Sequence, residues 1–253
     1  MIFLNIKRSY SAIRFRFLDD WPPVFHITQW KAGSQWIQQI LARCAAHKKV
    51  LPSFTGHEPI CRNTVYPAAY ITREQYETLN APSDSKYFVV LRDPRDILIS
   101  GYFSVKFSHP LLPGIAEQRQ QLASSNFEDG LSLTMETLVR PCVEIALSWA
   151  KSGAQWIRYE ELLSRDVELL TKALLVDCGL PIKKQVLKEA VLACRFENFS
   201  GGRKPGQEDV NSHFRKGIAG DWKQHFTPRV KAAFKERFGE ALQLCGYEKD
   251  LNW

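Results

Sequence analysis

Residues 86–91, Lys-Tyr-Phe-Val-Val-Leu, form an apolar run without alternation, and Arg92 and then Pro94 follow it. A strand with one face in water alternates apolar and polar residues. A continuous run predicts burial on both faces, as in a parallel sheet covered by helices. Val24–Thr28 reads as a second buried strand, and Ser34–Lys48 carries helical periodicity through Trp36, Ile37, Ile40, Leu41 and Cys44. Strands and helices in this order predict one doubly wound α/β domain over residues 1–253, a central parallel sheet flanked by helices. A chain of 253 residues is long enough for a full core.

The remaining pattern is consistent with that class. Residues 49–68 read as irregular, with Pro52, Gly56, Pro59 and Pro67 as breakers. Thr72–Leu79 reads as a short helix with Thr72 and Gln75 as a capping box. Helices are expected over Arg95–Phe107 with Pro94 at the start, and over Glu128–Lys151, Asp166–Cys178, Lys183–Cys194 and Pro228–Cys245. Ala154–Tyr159 reads as a short strand. Residues 108–126 read as a loop able to form a lid, and 199–221 as a long functional loop.

Composition limits the partners. The net charge of +7 favours anionic ligands of some kind. Cys44, Cys61, Cys142, Cys178, Cys194 and Cys245 include no Cys-x-x-Cys pair, so they read as reduced core thiols of a cytoplasmic protein. Residues 1–20 mix apolar and basic side chains without a run long enough for a signal core or a membrane span. They read as a peripheral segment or first strand, with a membrane contact as the alternative.

Three segments carry chemistry. In the stretch Thr28-Gln29-Trp30-Lys31-Ala32-Gly33-Ser34-Gln35-Trp36, a buried strand runs through a small-residue turn into a helix. The amides of Gly33, Ser34, Gln35 and Trp36 can face an anion there, aided by the helix dipole. Gly33 permits close backbone approach, and Lys31 supplies a point charge. The P-loop sequence Gly-x-x-x-x-Gly-Lys-Ser/Thr is absent. In the second segment Arg92 ends a strand and Ser100 lies eight residues later, so both can reach one phosphate; Asp93 and Arg95 orient the turn. In the third, Arg215, Lys216 and Gly217 join two cations to a flexible backbone, with Trp222 and Phe226 able to pin the loop. Taken singly, the three also read as a tight turn, a salt-bridged strand end and a solvated basic loop.

Together, in this order, the segments resemble the cytosolic-type sulfotransferases that use 3′-phosphoadenosine-5′-phosphosulfate (PAPS). The first family motif resembles Thr-Tyr-Pro-Lys-Ser-Gly-Thr-Thr-Trp, matched by Thr28, Lys31, Gly33 and Trp36. The second is matched by Arg92, Asp96, Ser100, Tyr102 and Phe103. The third, Arg-Lys-Gly-x-x-Gly-Asp-Trp-Lys-x-x-Phe-Thr, is matched throughout 215–227.

The resemblance implies a P-loop-like phosphosulfate loop and roles for the residues around it. Lys31 would contact the sulfuryl group and the leaving oxygen. Ala32, Gly33, Ser34, Gln35 and Trp36 would form the loop on the 5′-phosphate. Arg92, Ser100, Arg215, Lys216 and Gly217 would hold the 3′-phosphate, and Trp36 and Phe196 would sandwich the adenine, with Tyr159 and Phe214 beside the base and ribose. It implies sulfuryl transfer to a hydroxyl or amine of a small-molecule or carbohydrate acceptor, with PAP as product and no metal, nucleic acid or stable membrane insertion.

The family's catalytic His has no counterpart, since Val65 stands where it would be sought. His109, His57 and Glu58 remain as candidate bases, and His109 reads as the acceptor-pocket residue. Residues 54–70, 104–126 and 200–213 would wall the acceptor site. Gln29 and Trp30 replace the family's Tyr-Pro, which implies an altered approach to the loop or a Trp30 packed on the acceptor. Lys223 and Thr227 match a family dimer element that Pro228 and Ala232 break, leaving monomer or homodimer. Two other classes fit parts of the chain. A small-molecule or nucleoside kinase would want a Gly-Lys-Ser/Thr loop, and a basic nucleic-acid or membrane module would want a lysine-rich face.

Overall fold

The computed structural model describes residues 20–44, 49–51, 53–112 and 114–253. The expectations for the N-terminal segment and for the end of the first helix beyond Cys44 fall outside these residues. Five strands form one sheet in the order β2-β3-β1-β4-β5, every neighbouring pair parallel. They are β1 (Val24–Thr28), β2 (Lys49–Val50), β3 (Thr64–Ala69), β4 (Lys86–Leu91) and β5 (Ile157–Arg158). β1 is central, pairing Val24 with Lys86 through Thr28 with Val90 on one side and with β3 on the other. The chain therefore leaves β1 toward opposite sheet edges, and the space beyond its carboxyl end is the topological switch point where such sheets bind ligands.

The continuous apolar strands do have two covered faces. On one, Val24, Val65, Phe88 and Val90 pack against α1 (Ser34–Cys44), α7 (Tyr159–Thr171) and α8 (Lys184–Ala193). On the other, Phe25, Ile27, Tyr66, Val89 and Leu91 meet Trp149 and Ala146 of α6 (Arg140–Lys151). A further core joins α3 (Pro94–Phe103), α5 (Phe127–Thr134), α6 and α10 (Pro228–Leu244) around Leu98, Leu131, Val143 and Phe234. Short helices α2 (Arg73–Glu77) and α9 (Phe196–Phe199) complete the set with α4 (Ile115–Ser124), and α2 carries the expected Thr72–Gln75 capping box.

Several sequence expectations require correction. Residues 49–68 are not irregular throughout: β2 and β3 lie at the two ends of the stretch, and β3 contains Pro67. Proline is tolerated because β2 pairs only with Thr64 and Val65, so at Pro67 that side of β3 is an open edge. The Pro67 carbonyl accepts instead from the Phe54 amide at 3.0 Å. Residues 108–126 are not all loop, because α4 occupies most of them. Its sequence is mostly polar, with Leu122 its buried residue, and that hides the helical pattern. The helix expected from Asp166 begins at Tyr159. Cys61 is exposed rather than part of the core, although all six cysteines are unpaired thiols. No helix among the described residues is long and apolar enough to cross a membrane.

Candidate active site

The turn after β1 is shaped by its own backbone. Lys31 has φ 67° and Gly33 φ 81°, both left-handed. Gly33 is required twice over, since a Cβ there would lie 2.9 Å from the Tyr159 ring. Ile37 is the amide that bonds back to Gly33, at 3.0 Å. The amides of Ser34, Gln35 and Trp36 thus have no carbonyl within α1 and face the space beyond the sheet. Among the described residues no cluster of three or more His, Cys, Asp or Glu could hold a metal ion.

Gln29 explains one departure from the motif. It is fully buried, its Nε2 donates to the Cys142 carbonyl at 2.7 Å, and its Oε1 accepts from the Arg92 amide at 2.9 Å. One side chain therefore ties the ends of β1 and β4 to α6 and satisfies two buried backbone groups. Trp30 instead turns outward and stacks on Tyr70, with ring centroids 4.8 Å apart and planes 17° apart.

Arg92 enters from the end of β4. Its Nη1 donates to the Lys31 carbonyl at 2.8 Å and its Nη2 to that of Ile218 at 3.3 Å, while its guanidinium lies 4.5 Å over the Tyr159 ring. Its Nε is buried without a hydrogen-bond partner. Asp93 caps α3 and binds Arg95 at 2.7 Å, as the sequence suggested. Asp96 accepts from the amides of Gly220 and Trp222 at 2.6 and 3.1 Å, joining the second motif to the third.

The third segment is held from below. Arg215 pairs with Glu208 and Asp221, and its guanidinium lies 4.6 Å over Phe103, one of the aromatics that follow Ser100. Lys216 reaches Asp221 at 2.6 Å. Burial raises the Asp221 carboxyl, but the nearby His225 ring and the hydrogen-bonded Lys216 and Arg215 outweigh it and hold the group well below the usual carboxylate range. Gly217 has φ 65°, and a Cβ there would meet the Phe196 ring at 2.5 Å. Arg203, which sequence reasoning missed, staples the loop by donating to the carbonyls of Ser200, Gln207, Phe214 and Arg215.

These elements surround one cavity of about 620 Å³. Its walls include Lys31, Gly33, Ser34, Gln35, Trp36, Arg92, Ser100, His109, Tyr159, Phe196, Phe214, Arg215, Lys216 and Gly217. Ala32 is buried beneath the loop and does not reach it. Lys31 Nζ donates to Ser104 Oγ at 3.0 Å. Ser104 opens a π-turn (Ser104–Ser108) at the end of α3, a local widening that the sequence pattern does not signal. Burial, then the charges of Arg92 and Arg215, push the Lys31 amine down to about 8.

The histidine alternatives separate here. His109 lines the cavity, and its Nδ1 lies 3.0 Å from the Pro110 carbonyl. A carbonyl only accepts, so Nδ1 carries the hydrogen, and in the neutral ring Nε2 is then the acceptor. His57 and Glu58 are not among the lining residues. Glu58 folds onto its own turn and accepts from Thr55 and Gly56. Slight burial raises its carboxyl, but the Thr55 hydroxyl and the nearby amides outweigh that and lower it, which weakens it as a base. Val65, where the family His was sought, is buried within β3. Tyr70 and His213 line the cavity, within the 54–70 and 200–213 segments expected to wall it, although neither residue was singled out. Packing around the ring, then Lys31 and His109, push the His213 imidazole down to about 4.

Comparison with known proteins agrees with this geometry. The sulfotransferase domain family matches residues 22–246. The chain belongs to the sulfotransferase domain family. Among sulfotransferases, rat sulfotransferase 2B1 is 25% identical over 94% of this chain and 74% of its own length. Cytosolic sulfotransferase 3 of Arabidopsis thaliana is 29% identical over 65% of this chain and 56% of its own. The sulfotransferase fold is shared with the crystal structure of mouse sulfotransferase SULT7A1 complexed with PAP, at TM-score 0.60 and 19% identity, covering 91% of this chain and 88% of that one. It is shared also with retinol dehydratase in complex with androsterone and PAP, at TM-score 0.59 and 16% identity, covering 87% and 80%.

Proposed function

We propose that this sulfotransferase moves a sulfuryl group from PAPS to the hydroxyl of a small-molecule acceptor, using Lys31 and His109. The observation that carries the proposal is the meeting of three cationic or amide-rich elements, from the ends of β1 and β4 and from the 215–217 loop, around one cavity. When bound, the donor supplies a sulfuryl group activated by its bridge to the 5′-phosphate. The free amides of Ser34, Gln35 and Trp36 suit that phosphate. Arg92, Ser100 and Arg215 on the cavity wall suit the 3′-phosphate. Gly33 and Gly217 let the Tyr159 and Phe196 rings pack directly on the backbone, and Trp36 and Phe196 offer faces for a purine.

In such a transfer, positioning and charge stabilisation do most of the work. Lys31 carries its ammonium where negative charge grows on the leaving oxygen. Ser104 holds the amine in place until then. His109, with Nδ1–H on the Pro110 carbonyl, offers Nε2 to take the acceptor proton.

The test is calorimetric binding of PAP against ATP with magnesium, followed by transfer of labelled sulfuryl to an acceptor panel. Preference for PAP and label transfer are expected. Tighter binding of ATP with magnesium would overturn the proposal in favour of a kinase.

A further inference from the structure

Residues 200–217 reach the cavity wall without forming a helix or a strand. Between Gly201 and Glu208 every residue is exposed except Arg203, which is half-buried. A segment with no apolar core needs another centre to hold one conformation against its chain entropy. Arg203 supplies it. Its Nε donates to the Ser200 carbonyl at 3.1 Å, its Nη1 to those of Gln207 and Arg215 at 2.8 Å each, and its Nη2 to that of Phe214 at 2.7 Å. Four of the five N–H groups of the guanidinium are thus taken, and Arg203 is not among the residues lining the cavity.

The carbonyls it gathers belong to the strip that does line the cavity. The Arg215 carbonyl also accepts from the Asp209 amide at 2.9 Å, and the Lys216 carbonyl accepts from the Gly206 amide at 2.8 Å. In a trans peptide the N–H of the next residue points opposite to the carbonyl. The carbonyls of Phe214, Arg215 and Lys216 all turn to the 203–209 stretch. The amides of Arg215, Lys216 and Gly217 therefore point away from it, and among the described residues none of the three has an acceptor. Successive free amides of this kind form a concavity for an anion. With the peptides reversed, the same strip would set carbonyl oxygens against a phosphate.

We infer that Arg203 is a positioning residue for the 3′-phosphate of the donor, acting through the amides of Arg215, Lys216 and Gly217 and touching no ligand itself. This rests on the sulfuryl-transfer reading above and deepens its donor site. The role calls for arginine rather than for any cation. A planar fork meets four carbonyls at fixed angles, whereas a lysine ammonium is a point charge on a flexible stem.

The experiment measures calorimetric affinities for PAP and for adenosine 5′-monophosphate, which lacks the 3′-phosphate, in wild type, Arg203→Ala and Arg203→Lys. The wild type is expected to prefer PAP. Arg203→Ala should weaken PAP about tenfold and the monophosphate by no more than about twofold, so that most of the preference is lost. Arg203→Lys keeps the charge without the fork and should recover only a small part of it. Should Arg203→Ala not fold, Arg203→Lys decides alone by the same ratio. Equal losses on both nucleotides, an unchanged preference for PAP, or full recovery with lysine would overturn the positioning role while wild-type PAP binding still supports sulfuryl transfer. Failure of the wild type to bind PAP would overturn the sulfuryl-transfer reading and this inference with it.

Discussion

The two sides of the cavity differ in how they are built. The proposed donor side, from Gly33 through Arg92 to Gly217, is assembled from backbone amides, forced glycines and cations held by the buried Asp221 carboxylate. Each of its parts depends on several others, so the residue types are narrowly prescribed. The proposed acceptor side, at Trp30, Tyr70 and His109, has fewer polar ties and an exposed ring. It can vary without disturbing the nucleotide, and here it departs from the family motif. A rigid site for a constant donor beside a permissive wall for the acceptor is what one transfer chemistry on many acceptors calls for.

The largest effect should come where the two sides meet. Lys31→Ala is expected to lower kcat by about 10²–10³, in the range seen on removing an oxyanion donor. PAP affinity should fall far less, and an equal fall in both would assign Lys31 to simple binding. Because the amine lies near 8, its charged form is lost as pH rises. The donor kcat/KM should therefore decline above about pH 8, and Lys31→Arg should remove that limb, since guanidinium stays charged. The sign for stability is opposite. The folded value lies below the unfolded 10.5, so Lys31 penalises folding most fully below about 8 and less as pH rises toward 10.5.

Gln29→Leu tests whether the boundary is structural. It strands the Arg92 amide and the Cys142 carbonyl, and should cost about 2–3 kcal/mol in urea unfolding. Gly217→Ala probes the donor side alone. The left-handed φ and the contact with Phe196 should weaken PAP binding about tenfold by calorimetry, with unfolding changed less. Glu58→Gln gives the smallest effect, within about twofold in kcat and about 0.5 kcal/mol in stability. A hundredfold loss of activity there would return Glu58 to the role of base and unseat His109.

Much of the donor side was legible because its constraints are local. A strand end, a left-handed glycine and a helix start lie within a few residues of one another, and motif spacing records them. Asp93, Asp96 and Trp222 follow the same logic, as partners a turn away or in an adjacent motif. The segments of Tyr70 and His213 were expected at the cavity, but the individual residues were not: Pro67 disguised the strand that delivers Tyr70, and His213 lies in an irregular loop, where no periodicity marks which side chain faces inward. The π-turn that points Ser104 at Lys31 shifts the register by one residue, and no residue type announces it.

By itself the sequence determined the α/β class, the two doubly covered strands β1 and β4, and the glycine turn from β1 into α1. These follow from apolar runs, helix periodicity and short-range backbone needs, all written along the chain. The tertiary structure decided which distant segments share a wall. It set Tyr70 under Trp30, drew His109 and excluded His57 and Glu58, and gave Gln29 its two backbone partners. Those outcomes depend on strand order and on the burial of single polar groups, and both arise only when the chain closes on itself.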